Sequence, residues 1–359
     1  VPADRGGVGR YVDELLPALV RQGVDLVVVA QAHDVPVYRS LVPGAEVHAA
    51  PAAITRRPVR LLWEQTLLPV LARRVRADLV HSPHYTLPLL SPVPVVATVH
   101  DATFFTLPEV HLTVKRWFFQ GWTRVALRRA ARCLTPSAAT RDELVRVAGA
   151  DARRVDVALL GVEVEHFHVP TAVERRRVRE LLDLEGPYLA FLGTLEPRKN
   201  VPALVRAWSS LPSPPALVLG GGRGWDPGVD GAEAAVPATH DLRRPGYLPL
   251  DLLAAFLGEA ELVVYPSLGE GFGLPVLEAM ASGAAVLTTP LLSLPEVGGD
   301  AVEYTGPDED GIRAALVRLL DDPARRDDLR RRGVERARGF DWDACARAHV
   351  ESYRKAVAG

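Results

Sequence analysis

Residues 262–283 read LVVYPSLGEGFGLPVLEAMASG. Leu262–Pro266 is a short and nearly continuous apolar run, the pattern of a strand covered on both faces of a parallel sheet. Gly269, Gly271 and Gly273 follow, residues that permit positive φ and close approach of the backbone. Pro275 suits the first turn of a helix and Gly283 its end. A glycine loop feeding a helix N-terminus points amides outward, a cradle for an anion or a hydroxyl. Two acids are fixed to it: Glu270 in the loop and Glu278 eight residues on, one turn inside the helix. One acid can meet a ligand at the helix mouth while the other reaches a second part of it.

The same alternation runs through the chain. Further strands are predicted at Leu26–Ala30, Asp78–His81, Val95–His100, Cys133–Pro136, Val155–Leu160, Tyr188–Leu192, Ala216–Gly220, Ala285–Thr289 and Val302–Tyr304. Helical patterns lie between them, at Tyr11–Arg21, Val114–Ala131, Thr140–Ala148, Pro202–Ser209, Leu250–Leu257 and Gly311–Leu320. Repeated strand–helix alternation predicts a doubly wound α/β architecture. Gly161–Pro170 reads as a connector, Thr171–Leu182 as a charged helix and Gly220–Pro237 as a loop. The expected division is a first α/β domain at 1–163, a second at 164–340 and a last helix within 341–359, with a cleft between the domains. Ligands of such sheets bind beyond the carboxyl ends of the strands.

Length and composition agree. At roughly 100–200 residues per domain, 359 residues predict about two domains. Lys and Arg number 42 against 44 Asp and Glu, a net −2, which argues against a general polyanion binder. Two cysteines, Cys133 and Cys345, exclude a disulfide scaffold and fit a reducing, cytoplasmic compartment. No apolar run reaches the roughly 18–20 residues that span a bilayer. The chain starts at Val1 with no Met and no signal-like region, so residues before Val1 are expected to be missing.

Other strand ends carry candidate chemistry. Gly193–Asn200 reads GTLEPRKN, and its adjacent Arg198 and Lys199 are either a solvated pair on a turn or the positive charge that a diphosphate leaving group needs. Gly6-Gly7-Val8-Gly9 opens a helix as a weak phosphate motif. His100 and Asp101 end one strand, as a structural pair or as site residues. His81 and His84 (HSPHY) end another; with no third ligand evident, a metal is not expected, and an acceptor-side or structural role is. His111–Arg132 interleaves Trp117, Phe118, Phe119 and Trp122 with Lys115, Arg116, Arg124, Arg128 and Arg129. It reads either as an interfacial helix on anionic lipid, with Arg56, Arg57 and Arg60 extending the patch, or as a core-packed helix with a solvated basic face.

EGFGLPVLE, Glu270–Glu278, resembles without a gap the donor-binding signature of retaining glycosyltransferases of family GT4. That resemblance implies the GT-B fold: two Rossmann-like domains facing a cleft, with the last helix crossing back to the first. It implies that Glu270 and the amides of Gly271, Phe272 and Gly273, with Leu274, hold the donor sugar, and that Glu278 accepts from the ribose hydroxyls. Lys199 matches the family's lysine. Thr194 stands where many members have an arginine, which makes Arg198 the candidate second cation. Gly7 would face the donor phosphate, after a first strand of which only Val1-Pro2 could remain. His100 would touch the donor sugar, with Asp101, His81 and His84 toward the acceptor. Leu248, within GYLPLDLLAA, would flank the nucleotide base; Leu292–Val297 and Ser137 also resemble family segments.

The implied reaction moves a hexose from a nucleoside-diphosphate sugar to a hydroxyl of a glycan, lipid-linked or small-molecule acceptor, with retention and without a cofactor. No Asp-x-Asp motif is present for a metal. The wording of GTLEPRKN and SLGEGFGLP resembles members that use GDP-mannose; UDP-glucose or another UDP-sugar is the alternative. From other classes, a NAD-dependent dehydrogenase should show GxGxxG after a first strand, a spacing GGVGRYV does not fit. A two-domain ligand-binding protein would need an export signal.

Overall fold

The computed structural model describes residues 6–359; Val1-Pro2, the expected remnant of a first strand, lies outside the described residues. The chain divides into two compact units. One holds the residues up to Gly161 together with Asp341–Gly359, and the other holds Val162–Phe340.

In the first unit β1 (Val27–Gln31) pairs in parallel with β2 (Glu46–Ala50). A separate parallel sheet has the order β3 (Val80–Ser82), β4 (Val95–Thr98), β5 (Arg132–Thr135) and β6 (Val155–Val157). Val95, Ala97, Val99, Cys133 and Leu144 form the centre of its core. The C-terminal helix Trp342–Ala358 packs on the Gly7–Arg21 helix. It buries Trp342, Cys345, His349, Ser352, Tyr353 and Ala356, the three-and-four spacing of one helix face. Asp341 caps it, its carboxylate accepting from the Ala344 amide at 2.6 Å.

The second unit is one sheet of six parallel strands: β7 (Tyr188–Leu192), β8 (Ala216–Gly220), β9 (Leu242–Gly246), β10 (Leu262–Tyr265), β11 (Val286–Thr288) and β12 (Glu303–Tyr304). Their order is β12-β11-β10-β7-β8-β9. Counted from β7, that is the doubly wound order 3-2-1-4-5-6, whose direction reverses between the first and fourth strands. The reversal therefore falls between β7 and β10, which pair at Val263 and Ala190. β7 and β10 are buried almost throughout, as their unbroken apolar runs require.

Three differences from the expected elements have physical causes. β2 and β9 escape the apolar-run test. β2 is EVHAA, whose first residue is exposed. β9 is LRRPG, and Pro245 with two arginines is tolerated because β9 is the sheet edge. Gly220–Pro237 is not wholly a loop, because Pro227–Ala234 is helical. Gly228 and Gly231 lower its propensity, but Asp226 caps it and Pro227 starts it.

Candidate active site

The loops that leave β7 and β10 meet at the reversal point. The β7 loop ends in a short 3₁₀ turn, Pro197–Lys199, and Asn200 then takes a left-handed conformation at φ +59 before the Val201–Ser209 helix. Asn200 Nδ2 holds that corner by donating to Pro307 O at 2.7 Å. The β10 loop ends at Gly273, whose φ of +108 turns the chain into the Leu274–Ala281 helix. Of the three loop glycines, this is the one whose backbone requires the left-handed region. Its missing side chain also matters, since a Cβ there would lie 2.8 Å from Leu294 Cδ2. Ser293 Oγ lies 2.8 Å from the carbonyl oxygens of both Glu270 and Phe272 and fixes the loop from behind.

Glu270 is the knot of the site. Its Oε1 accepts from Lys199 Nζ at 2.7 Å, Tyr265 Oη at 2.9 Å and Ser267 Oγ at 2.7 Å. Its Oε2 accepts from Arg198 Nη1. Arg198 also donates to Gly269 O at 2.8 Å and to Glu196 Oε1 at 2.5 Å. Lys199 donates to the Tyr265 hydroxyl as well. Lys199 and Glu270 are both buried. Burial pushes the Glu270 carboxyl up, but Arg198 and Lys199 outweigh it and hold the pKa at about 2. Burial, and then the charge of Arg198, push the Lys199 ammonium down against the pull of Glu270. Two cations and two acids balance, so the cluster is buried without net charge.

The remaining sequence candidates of this unit lie on the same loops, on the helix that follows and beside the glycine run after β8. Gly271, Phe272 and Gly273 are buried in the same loop, and Phe272 packs its ring edge-on to Phe340. Leu274 starts the following helix, and Glu278 sits inside it, 2% exposed. Thr194 and Leu248 line the neighbouring glycine run after β8. A Cβ on Gly222 would lie 3.8 Å from Thr194 Oγ1, and one on Gly220 would lie 3.2 Å from Leu248 Cδ1. Thr194 is exposed, and its carbonyl oxygen accepts from the Glu196 amide at 2.8 Å.

Gly7, His81, His84, His100 and Asp101 belong to the other unit. Gly7 is the exposed first residue of its helix, and Gly6 provides no side-chain cap. His100 Nε2 donates to Pro83 O at 2.7 Å, so the neutral ring carries its lone pair on Nδ1. Burial pushes the His100 pKa down. Asp101 is a local cap: Oδ1 accepts from Thr103 N at 2.9 Å and from Thr103 Oγ1 at 2.6 Å. His84 stands edge-on to Tyr85 and Phe119, and burial lowers its pKa to about 3. Both ring nitrogens of His81 are engaged, by Thr98 and Tyr353. Among the described residues, no group of three or more His, Cys, Asp or Glu is placed to hold a metal ion.

Residues 5–166 match the Glycosyltransferase Family 4 domain and residues 186–322 the Glycosyl transferases group 1 domain. The chain is 33% identical over 267 residues to the O-antigen chain mannosyltransferase B of Escherichia coli, covering 72% of this chain and 70% of that relative. The chain belongs to glycosyltransferase family 4. This glycosyltransferase is also 30% identical to the D-inositol 3-phosphate glycosyltransferase of Frankia alni, over 99% of this chain and 96% of the relative. In fold it is similar to sucrose-phosphate synthase from Thermosynechococcus elongatus, with a TM-score of 0.80 at 21% identity over 98% of this chain and 94% of that one. It is likewise similar to Anabaena HepE in complex with UDP and glucose, with a TM-score of 0.76 at 18% identity over 97% and 96% of the two chains. The GT-B fold expected from the sequence is borne out.

Sequence reading of this glycosyltransferase missed Tyr265, Ser267 and Glu196, which hold the three charged groups in place. Tyr265 ends an apolar strand and reads as core; only the fold turns its hydroxyl onto Glu270. The Gly220–Gly224 run (GGGRG) was a legible signal. Gly224 has φ +64, and a Cβ there would lie 2.0 Å from Leu195 O, so this run lets the β8 loop lie against the β7 loop.

Proposed function

We propose that the enzyme transfers a hexose, mannose from GDP-mannose, to an acceptor hydroxyl with retention of configuration. The carrying observation is the Arg198–Lys199–Glu270 knot at the strand-order reversal, where a doubly wound sheet receives its ligand. The two cations are already oriented by Glu270, Glu196 and Tyr265, so a diphosphate brought to them meets fixed charge and no reorganisation. The bond from the anomeric carbon to the phosphate oxygen breaks as the acceptor oxygen bonds to the same face, and the acceptor proton passes to the departing phosphate. His100, neutral with its lone pair on Nδ1, accepts from a donor-sugar hydroxyl in this reading. Glu278 takes the ribose hydroxyls, and Leu248 flanks the base. The mannosyltransferase relative supports mannose; the fold likeness to a protein holding UDP and glucose keeps UDP-glucose as the competitor. Titration with GDP and UDP, followed by proton NMR of the product from an α-linked donor, tests both parts. Tighter GDP and an α-linked product are expected; tighter UDP reassigns the donor, and a β-linked product removes retention.

We further propose that the first unit meets anionic lipid at the start of its Thr113–Arg129 helix. Val114 is 82% exposed and Trp117 63%, and Phe118 is exposed beside Lys115 and Arg116. Phe119 is not part of this face, because it stacks on Phe104 at 4.5 Å and packs against the core. The other half of the helix buries Thr123, Ala126 and Leu127, so the core-packed reading describes that half and the proposed lipid face is confined to the helix start. Among the described residues no helix is long and apolar enough to cross a membrane. Trp117→Ser should halve, or more than halve, sedimentation with phosphatidylglycerol vesicles, and unchanged sedimentation removes this face.

A further inference from the structure

A buried chain of hydrogen bonds in the first unit begins and ends on the C-terminal helix, and one carbonyl fixes all its directions. His349 Nδ1 lies 2.7 Å from Cys345 O, an oxygen that only accepts, so Nδ1 carries the hydrogen. Burial keeps both His349 and His81 neutral, with the His349 pKa pushed down to about 4. His349 Nε2 must then accept, and the Tyr11 hydroxyl 2.7 Å away donates to it. A phenol has one hydrogen, so Tyr11 Oη accepts from Thr98 Oγ1 at 3.0 Å. Thr98 Oγ1 in turn accepts from His81 Nε2 at 2.8 Å. His81 keeps its lone pair on Nδ1, to which the Tyr353 hydroxyl donates at 2.8 Å. The chain thus runs from the C-terminal helix to the Gly7–Arg21 helix, to the end of β4 and to β3, and back to the C-terminal helix one turn from where it began.

Tyr11, the link between His349 and Thr98, touches one candidate site residue and shares a helix with another. The Tyr11 ring stands edge-on to His100, with centroids 4.9 Å apart and planes at 81°. Tyr11 also lies on the second turn of the helix whose mouth is Gly6-Gly7. We propose that this clasp positions the reaction: through Tyr11 the C-terminal helix sets the placement of His100 and the Gly7 turn, with His349 and Tyr353 as remote positioning residues. The inference rests on the reading that His100 and Gly7 face the donor. It goes beyond that reading in making residues at the far end of the sequence responsible for the geometry. Misplacement of a reacting group by about 1 Å can cost about 100-fold in rate, so a hydroxyl that contacts no substrate can still govern turnover.

Two hydroxyl deletions test it, each sparing the aromatic ring. Tyr11→Phe should lower kcat more than tenfold and Tyr353→Phe about fivefold, with donor KM unchanged within twofold and circular dichroism unchanged. Long-range proton–nitrogen NMR of the histidine rings gives a readout independent of turnover. It should show His349 as the Nδ1–H tautomer, His81 as the Nε2–H tautomer, and a shifted His100 ring in Tyr353→Phe, which lacks only the group bonded to His81. A His349 Nε2–H tautomer overturns the ordering. Wild-type kcat and an unmoved His100 ring in Tyr353→Phe reduce the clasp to a structural feature and overturn the proposal. A shifted His100 ring in Tyr353→Phe, with a parent enzyme that transfers no mannose from GDP-mannose, supports the clasp and refutes the proposed donor instead. Should Tyr11→Phe fail to fold, Tyr353→Phe at the end of the chain decides alone.

Discussion

The two units solve the burial of polar groups in opposite ways. Around Glu270 the second unit buries full charges, two cations against two acids, all within residues 196–199 and 265–270. Around Tyr11 the first unit buries neutral rings and hydroxyls drawn from positions 11, 81, 98, 349 and 353. The charged knot has strong, locally encoded interactions suited to holding a charged ligand. The neutral chain has weaker links, each satisfied, suited to fixing distances between elements remote in sequence.

The largest expected effect breaks the charged knot. Lys199→Ala should lower kcat about 100-fold, the loss typical of one donor aimed at developing negative charge, and should raise donor KM much less, because the contact strengthens as the bond breaks. Arg198→Ala, which loses the candidate second cation, is the comparison. Steady-state kinetics read both, and a fully active Lys199→Ala enzyme would refute the role.

Acid separates the two regions. His349 titrates near 6.5 when unfolded and at about 4 when folded, so between those values the unfolded chain binds the extra proton. Stability from the neutral chain is therefore complete above pH 6.5 and falls as pH drops toward 4. At roughly 1.4 kcal/mol per unit the loss is a few kcal/mol. His349 is faced by Tyr11, Cys345, Tyr353, His81 and His100, none of them a carboxylate that would favour its charged form. Glu270 is the reverse case: its folded pKa of about 2 lies below the usual 4.5, so its contribution is present above pH 4.5 and is lost on the way to 2. Hydrogen exchange at pH 5 should expose Trp342–Ala358 and Gly7–Arg21 first, with Leu274–Ala281 still protected. Simultaneous loss in both units would abolish the distinction.

This contrast also explains what the sequence made legible. The strand-end loops of the second unit are contiguous motifs, so Arg198, Lys199, Glu270 and Glu278 stood out by type and spacing. β7 and β8 match their expected limits because unbroken apolar runs are what a doubly covered sheet demands. β9 was hidden because an edge strand tolerates Pro245 and polar residues. The Tyr11 chain was hidden for a different reason: Tyr11 and His349 lie 338 residues apart, and only the docking of the last helix brings them together. His81 and His84 looked like a pair from their spacing. The fold gives them different neighbours, Thr98 and Tyr353 for one, Tyr85 and Phe119 for the other.

A smaller effect probes the rim of the charged region. Glu278 is buried one turn inside the Leu274–Ala281 helix. If its carboxylate takes the ribose hydroxyls, Glu278→Ala leaves that diol unpaired and weakens donor binding by about 1–3 kcal/mol. Calorimetry with the nucleoside diphosphate measures it, and unchanged affinity sinks the assignment.

The smallest expected effect is none. If the leaving diphosphate is neutralised by Arg198, Lys199 and the amides of the glycine loop, then a chelator removes nothing the charged knot depends on. Glu270 and Glu196 already engage the two cations, and their oxygens point at nitrogen and hydroxyl donors within the cluster. A divalent ion brought there would have to compete with an ammonium and a guanidinium for the same carboxylate oxygens, and like charges in a buried site repel strongly. Turnover measured with and without EDTA should therefore agree within experimental scatter, and added Mg²⁺ or Mn²⁺ should not raise it. A strict requirement for either ion would mean that the phosphate is held elsewhere, and that the balanced cluster around Glu270 serves the fold of the second unit, as the Tyr11 chain would serve the first if its clasp proved structural.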